Sequence, residues 1–288
     1  KIDLVLEVYT TNPQCRVHGK ELPREQLVET VERADIVAVD EDLKHLHFDV
    51  DFCRILLEAT DEKSPTYATL MRTLNDVINL WAAEGKSQLP KMRRMIRDAF
   101  GNLNGEVRHT IYPLGHAHLD TAWLWPIDIT KKKMAHTTAT QLNLMDKYPE
   151  YVYVHSQASQ YEWLEKEYPC LYERVKEAIK KGQWEPVGSM WVEADCNLTG
   201  AESLVRQFLY GRAYFRDKLG VQTDDMFLPD VFGYSAALPQ ILNKFGIKYF
   251  LTQKISWNQT NKFPHNTFYW QGIDGSKVWC HFPPADTY

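Results

Sequence analysis

No apolar run in this 288-residue chain approaches the roughly 20 residues that span a bilayer, which excludes a membrane-spanning helix. Basic residues are not in excess. The 33 Lys and Arg stand against 38 Asp and Glu, a net charge of -5, so no nucleic-acid or membrane-surface partner is expected. Cysteine is sparse: Cys15, Cys53, Cys170, Cys196 and Cys280 lie far apart and form no CxxC pair. That spacing argues for reduced thiols in an intracellular, cytoplasmic protein. An initiator Met and a signal-like segment are also missing, since "KIDLVLEVYT" carries acidic residues inside its apolar run. The end, "HFPPADTY", stops after an expected strand, and a fragment of a longer chain is the expectation. The sequons at Asn197 and Asn258 arise readily by chance and carry little weight.

What is present is ordinary globular material, 44% hydrophobic, enough for a sizeable core and for more than one domain. Residues 1–107 read as mainly helical. "LPREQLVETVERADIVAVDEDL" and "HFDVDFCRILLEATDEKSPTYATLMRTLNDVINLWAAEG" space their apolar residues for helices, with Gly85 as a stop, and "KMRRMIRDAFGNLNG" adds a short third. The pattern then changes. Over 108–288, short apolar runs such as "YVYVHSQAS", "WEPVGSMWVEAD", "DMFLPDVFGYS" and "IKYFLTQKIS" alternate with helical segments such as "ITKKKMAHTTATQLNLMDKYP" and "GAESLVRQFLYGRAYFRDKLG". This alternation predicts an α/β fold with parallel strands, as a barrel or an open sheet.

In such folds chemistry gathers where strands end. Those ends carry His116, His118 and Asp120, then His155 and Gln157, then Glu193 and Asp195, then Asp230, then Gln253 and Lys254. Successive polar ends point to one polar pocket. In "LGHAHLDTAWLWP" the spacing puts His116, His118 and Asp120 on one side of an extended strand. With Asp195 added, a histidine and two aspartates suit a divalent cation. His116 reads equally as a core imidazole bonded to a carbonyl or as a group supporting a ligand. Trp123, Trp125 and Trp191 are either core or platforms for a sugar ring, and Asp230 is either a site residue or a loop cap. A metal-bound carboxylate could act as a nucleophile or the metal could activate water, and spacing does not separate the two.

The stretches "GHAHLDTAWLWP", "MWVEADCNLTGAESLVRQ", "LPDVFGYSAALPQIL" and "FLTQKISWNQTNKFPHNTFYW" resemble glycoside hydrolase family 38, above all its cytosolic and vacuolar α-mannosidase branch. The resemblance covers about Arg108 to the end. It implies a seven-stranded β/α barrel, here incomplete at its C-terminal side, preceded by the helical segment. It implies a retaining exo-acting α-mannosidase on mannose-terminated oligosaccharides, with one divalent metal, usually zinc, with cobalt as the alternative. Carried over by position, the metal ligands are His118, Asp120 and Asp195, and Asp195 is also the nucleophile. Trp123 stacks on mannose and Asp230 contacts substrate. A further histidine ligand falls beyond Tyr288, and Asp286 is the candidate general acid. Self-association is left open. The rival readings are a metal-dependent amide hydrolase or deacetylase, and an inactive carbohydrate-binding fragment.

Overall fold

The computed structural model describes residues 39–103 and 110–284. They divide into two compact units, one ending at Tyr112 and one running from Pro113 onward. The first expected helix, residues 22–43, lies mostly outside the described residues.

The first unit is a helical hairpin with a third helix. Helix α1 (Glu41–Glu58) starts where the Asp40 side chain accepts from the Leu43 N–H, and acidic Glu41 and Asp42 complement the positive end of its dipole. The long "HFDV…AAEG" pattern is two elements rather than one. It breaks at 59–64, because Ser64 caps and Pro65 opens helix α2 (Pro65–Glu84). Gly85 ends α2 with φ +59°, a conformation that favours glycine. Helix α3 (Leu89–Leu103) follows. Leu46, Cys53, Leu70, Val77, Met92 and Ile96 form the shared core.

The second unit alternates helix and strand as expected, with shorter strands. Its elements are α4 (Ile127–Lys147), β1 (Tyr153–His155), α5 (Ala158–Glu167), α6 (Pro169–Lys180), β2 (Trp184–Pro186), α7 (Ala201–Tyr214), β3 (Asp225–Leu228), α8 (Leu238–Lys244), β4 (Tyr249–Thr252), β5 (Thr267–Gln271) and β6 (Lys277–His281). Pro169 splits the segment "YEWLEKEYPCLYERVKEAIKKG" into α5 and α6, because it lacks an N–H and suits the first turn of a new helix. Gly115 bridges β1 in parallel, β1 pairs with β2 in parallel, and β3, β4 and β6 form a second parallel run edged by antiparallel β5. The described residues thus hold two sheets, not a closed seven-stranded barrel. Between them the Asp225 carboxylate accepts the Gly188 N–H at 2.8 Å, a side-chain link where a ladder bond would otherwise run. No helix among the described residues is long and apolar enough to cross a membrane.

Two cores support this unit. Tyr153, Tyr161, Trp184 and Phe215 anchor the first, and Phe208, Met226, Leu228 and Phe250 the second. Helix α7 lies so close to residues 189–192 that only glycine fits at 211. A Cβ there would meet the Met190 carbonyl carbon at 2.4 Å and the Ser189 oxygen at 2.5 Å. The same helix accepts Trp191 N–H on the Gln207 carbonyl (3.0 Å) and Val192 N–H on the Gln207 side chain (2.8 Å). Replacing a helical glycine by alanine ordinarily gains about 1 kcal/mol. Here the backbone clash should outweigh that gain, and Gly211→Ala is expected to lose about 1–3 kcal/mol net in chemical denaturation.

Candidate metal centre

The segment from Gly115 to Pro126 is mostly irregular, so the alternation of an extended strand does not govern it. His116 turns inward. Its Nδ1 lies 3.0 Å from the Val154 carbonyl and its ring meets Phe227 edge-on at 4.8 Å, and burial lowers its pKa. His116 thus carries features of both readings: a carbonyl bond at Nδ1, and a buried Nε2 that groups with His118 and Glu193. His118 and Asp120 instead face a cavity of about 380 Å³ that is also lined by Gln157, Glu193, Asp195 and Asp230. The strand-end residues expected to share a pocket do so, apart from His116, His155, Gln253 and Lys254.

Two carboxylates converge on one nitrogen of His118. Nε2 is 3.3 Å from Asp120 Oδ1 and 3.2 Å from Asp230 Oδ2. On the other side of the ring, Nδ1 lies 3.0 Å from Glu193 Oε2, although the pair is not aligned as a hydrogen bond and both atoms are buried. Burial alone would pull the His118 imidazole down. The close contact with Glu193, and the charges of Glu193, Asp230 and Asp120, overcome it and push the pKa up to about 9. The same crowding of carboxylates around one imidazole favours a divalent cation at that place.

The donor set fits such a cation. Two ligands about 2.0–2.1 Å from a tetrahedral ion stand about 3.3–3.4 Å apart, close to the separations found here. His118, Asp120 and Asp230 form one metal-competent group, and His116, His118 and Glu193 form another. The first matches the tetrahedral spacing at Nε2 and opens on the cavity. In the second, the Glu193 side chain is 4% exposed and sits against the opposite nitrogen, the place of a carboxylate that orients a metal-bound imidazole.

Asp195, expected as the third ligand, is not in either group. It lines the same cavity, but its Oδ1 accepts the N–H groups of Asn197 (2.7 Å) and Leu198 (2.9 Å). Asp230 stands where Asp195 was expected among the grouped atoms, and its other oxygen is 2.7 Å from Lys254 Nζ. That buried ammonium packs over Trp257 at 3.7 Å. Through this pair the polar cavity abuts a larger one, about 720 Å³, walled by rings that include Phe232, Trp257, Phe263 and Trp270.

Of the candidate platforms, Trp123 is 66% exposed. Trp125 is tied down, its indole donating to Thr130 Oγ1 at 3.0 Å, and Trp191 packs edge-on against Tyr214. His155 is fully enclosed, and burial above all pulls its pKa down to about 3. Asp286 and Cys15 lie outside the described residues. Cys53, Cys170, Cys196 and Cys280 are free thiols.

A sequence model of the glycosyl hydrolases family 38 N-terminal domain matches residues 108–288, the part that holds this cluster. The chain belongs to glycosyl hydrolase family 38. Within that family it is 42% identical over 256 residues to human Alpha-mannosidase 2C1, covering 89% of this chain and 25% of the relative. It is 47% identical over 215 residues to Dictyostelium discoideum Alpha-mannosidase G (74% and 20%) and 39% identical over 273 residues to Saccharomyces cerevisiae Alpha-mannosidase (89% and 25%). The chain thus spans at most about a quarter of the length of these relatives. The fold of an Enterococcus faecalis V583 alpha-mannosidase matches with a TM-score of 0.50 at 21% identity, over 59% of this chain and 19% of that one.

Glu193 tests the centre without removing a ligand. Glu193→Gln keeps the shape and removes the charge beside His118 Nδ1. It is expected to weaken zinc binding about 10- to 100-fold, read by competition with a chromogenic chelator.

Proposed function

We propose that this family 38 chain carries the metal-binding part of a retaining, exo-acting α-mannosidase that removes terminal mannose from oligosaccharides. One observation carries the reading: in a chain of this family, two carboxylates meet on His118 Nε2 at tetrahedral spacing, inside a cavity that also contains Asp195. The names of the relatives and the polar lining support it. The fold proposed for the whole is the seven-stranded β/α barrel, with the described sheets as part of it and its boundary with the helical segment at 107–108.

His118 and Asp120 would hold the ion together with Asp195, the ligand implied by the resemblance, and Asp230, the carboxylate grouped with them, with zinc favoured by the nitrogen and carboxylate donors and cobalt as the alternative. When bound, a divalent cation supplies Lewis acidity toward sugar hydroxyls. The protein's own groups do the rest. Asp195 is the nucleophile in this reading and attacks the anomeric carbon to give a mannosyl-enzyme. The two N–H groups on its Oδ1 fix the direction of the carboxylate. A second carboxyl group, about 5–5.5 Å away as retention requires, protonates the leaving oxygen and then draws a proton from water. Asp286 is the candidate for it. Trp123 offers an exposed indole face, suited to the apolar face of a sugar. Asp230, tied to Lys254, joins the ion site to the substrate cavity. A cytoplasmic setting accords with the four free thiols.

The full-length protein, given an aryl α-mannoside, is expected to release mannose first as the α anomer, followed by NMR. Release of acetate or amine from the corresponding amides, or binding of mannose without turnover, would overturn the reading. Asp195→Asn should lower kcat by about a thousand-fold or more while the circular dichroism spectrum is unchanged, and full activity in that variant would remove Asp195 from its role. Trp123→Ala is expected to raise KM, by about 1–3 kcal/mol of lost binding, with a smaller effect on kcat.

A further inference from the structure

Between His118 and Asp120 lies a single residue, Leu119, and the orientation of the peptide that follows it bears on where both side chains point. The Leu119 carbonyl of that peptide accepts two amides, Gln157 Nε2 and Gln160 Nε2, each at 2.8 Å. Gln157 does more. Its Oε1 accepts the Thr121 hydroxyl at 2.8 Å and the Glu193 backbone N–H at 3.3 Å. One buried side chain therefore ties the segment carrying His118 and Asp120 to the segment carrying Glu193.

The backbone at Gln157 is unusual in a way that serves this link. It is the N-cap of α5, yet it adopts φ +63° and ψ +87°, a left-handed conformation rarely used by a side-chain-bearing residue. An N-cap side chain ordinarily turns back to accept one of the first helical N–H groups. Gln157 makes no such bond. Instead the N–H groups of Ala158 and Ser159 donate to the Met190 and Trp191 carbonyls at 3.1 and 3.0 Å, which fastens the helix start to the approach to Glu193. The glutamine amide is thereby released to span the cavity wall.

We infer that Gln157 is a positioning residue that fixes the spacing between the His118–Asp120 segment and the Glu193 segment, and so sets the affinity of the metal site. The inference rests on the proposed metal centre. Only an amide can do this, because the link needs a donor for Leu119 and an acceptor for Thr121 and Glu193 on one side chain. An ionised glutamate lacks the donor, methionine offers no effective partner, and asparagine is a methylene short. Gln160 provides the contrast. It also holds Leu119, but its other bond is to His155 (3.0 Å), within the core.

The test is the dissociation constant for Zn²⁺, by chelator competition, with the melting temperature of the metal-free protein measured alongside. Gln157→Met and Gln157→Glu are expected to raise the dissociation constant about 10- to 100-fold. Thr121→Val, which removes one bond to the same amide, should raise it by a smaller factor, and Thr121→Ser should restore it. Wild-type affinity in Gln157→Met, with only the melting temperature lowered, would overturn the inference and make Gln157 an ordinary core residue. Should the Gln157 variants fail to fold, the Thr121 pair decides, and equal affinity in Val and Ser would overturn it. A wild-type protein that binds Zn²⁺ no better than His118→Ala would remove the metal centre itself. That is a different result from tight wild-type binding left unchanged by Gln157→Met.

Discussion

Three carboxylates crowd one imidazole, and their mutual repulsion is the constraint on which the second unit is built. Asp120, Asp230 and Glu193 each lie within 3.3 Å of a nitrogen of His118. Without positive charge among them, such a group would spread apart or take up protons. Two kinds of positive charge relieve it: the proton, or an ion in its place, on His118, and the Lys254 ammonium against Asp230. Lys254 is itself 6% exposed, so its own desolvation cost is offset by Asp230 and by the faces of Trp257 and Phe232. The aromatic wall of the larger cavity and the electrostatics of the smaller one are thus one arrangement. Removing the lysine would leave Asp230 with less positive charge around it.

Much of this was legible in the sequence because burial and helix termination are local. The Gly85 stop and the helix–strand alternation after Gly105 all appear in the structure. The grouping of His118, Asp120, Glu193, Asp195 and Asp230 around one cavity followed from reading strand ends. What was not legible depended on assuming regular strand geometry. "LGHAHLD" was read as a strand, which put three side chains on one face. Only Gly115 bridges a strand, and the next residues follow no alternation, so His116 bonds the Val154 carbonyl while His118 faces the cavity. Strand lengths were overestimated for the same reason. Past Pro186 the Val187 N–H still donates to the His155 carbonyl, but Gln157, Gly188 and Ser189 then turn to positive φ and end the ladder.

Asp195 and Asp230 differ in a way that spacing does not carry. Both are aspartates at strand ends, and both line the cavity. Backbone chemistry distinguishes them. Asp195 is followed by two N–H groups that its own oxygen can reach, so the carboxylate folds onto the turn at 197–198. Asp230 meets Lys254 on one side and His118 on the other. A carboxylate turned toward a local backbone and one turned toward distant charges look alike in sequence, because the deciding partners lie 24 and 112 positions away (254 − 230 and 230 − 118).

The strained backbone is gathered at the same place. Among the described residues, the non-glycine positions with positive φ are Ala122, Gln157 and Ser189. Such a conformation costs on the order of 1 kcal/mol each and persists only where neighbours over-determine it. Each has such neighbours. Ala122 donates its N–H to Thr130 Oγ1, which also holds the Asp120 carbonyl. Gln157 spans Leu119, Thr121 and Glu193. Ser189, buried beside Gly211, shares a hydrogen bond with Thr223 at 2.6 Å. Ala122 and Gln157 therefore sit one or two contacts from a residue of the centre, and Ser189 lies four positions before Glu193 on the segment that leads to it. A fold optimised for stability alone would relax these turns with glycine. Keeping side chains there spends stability to hold the loops in one arrangement, which is what a site needing donor atoms at fixed spacing requires.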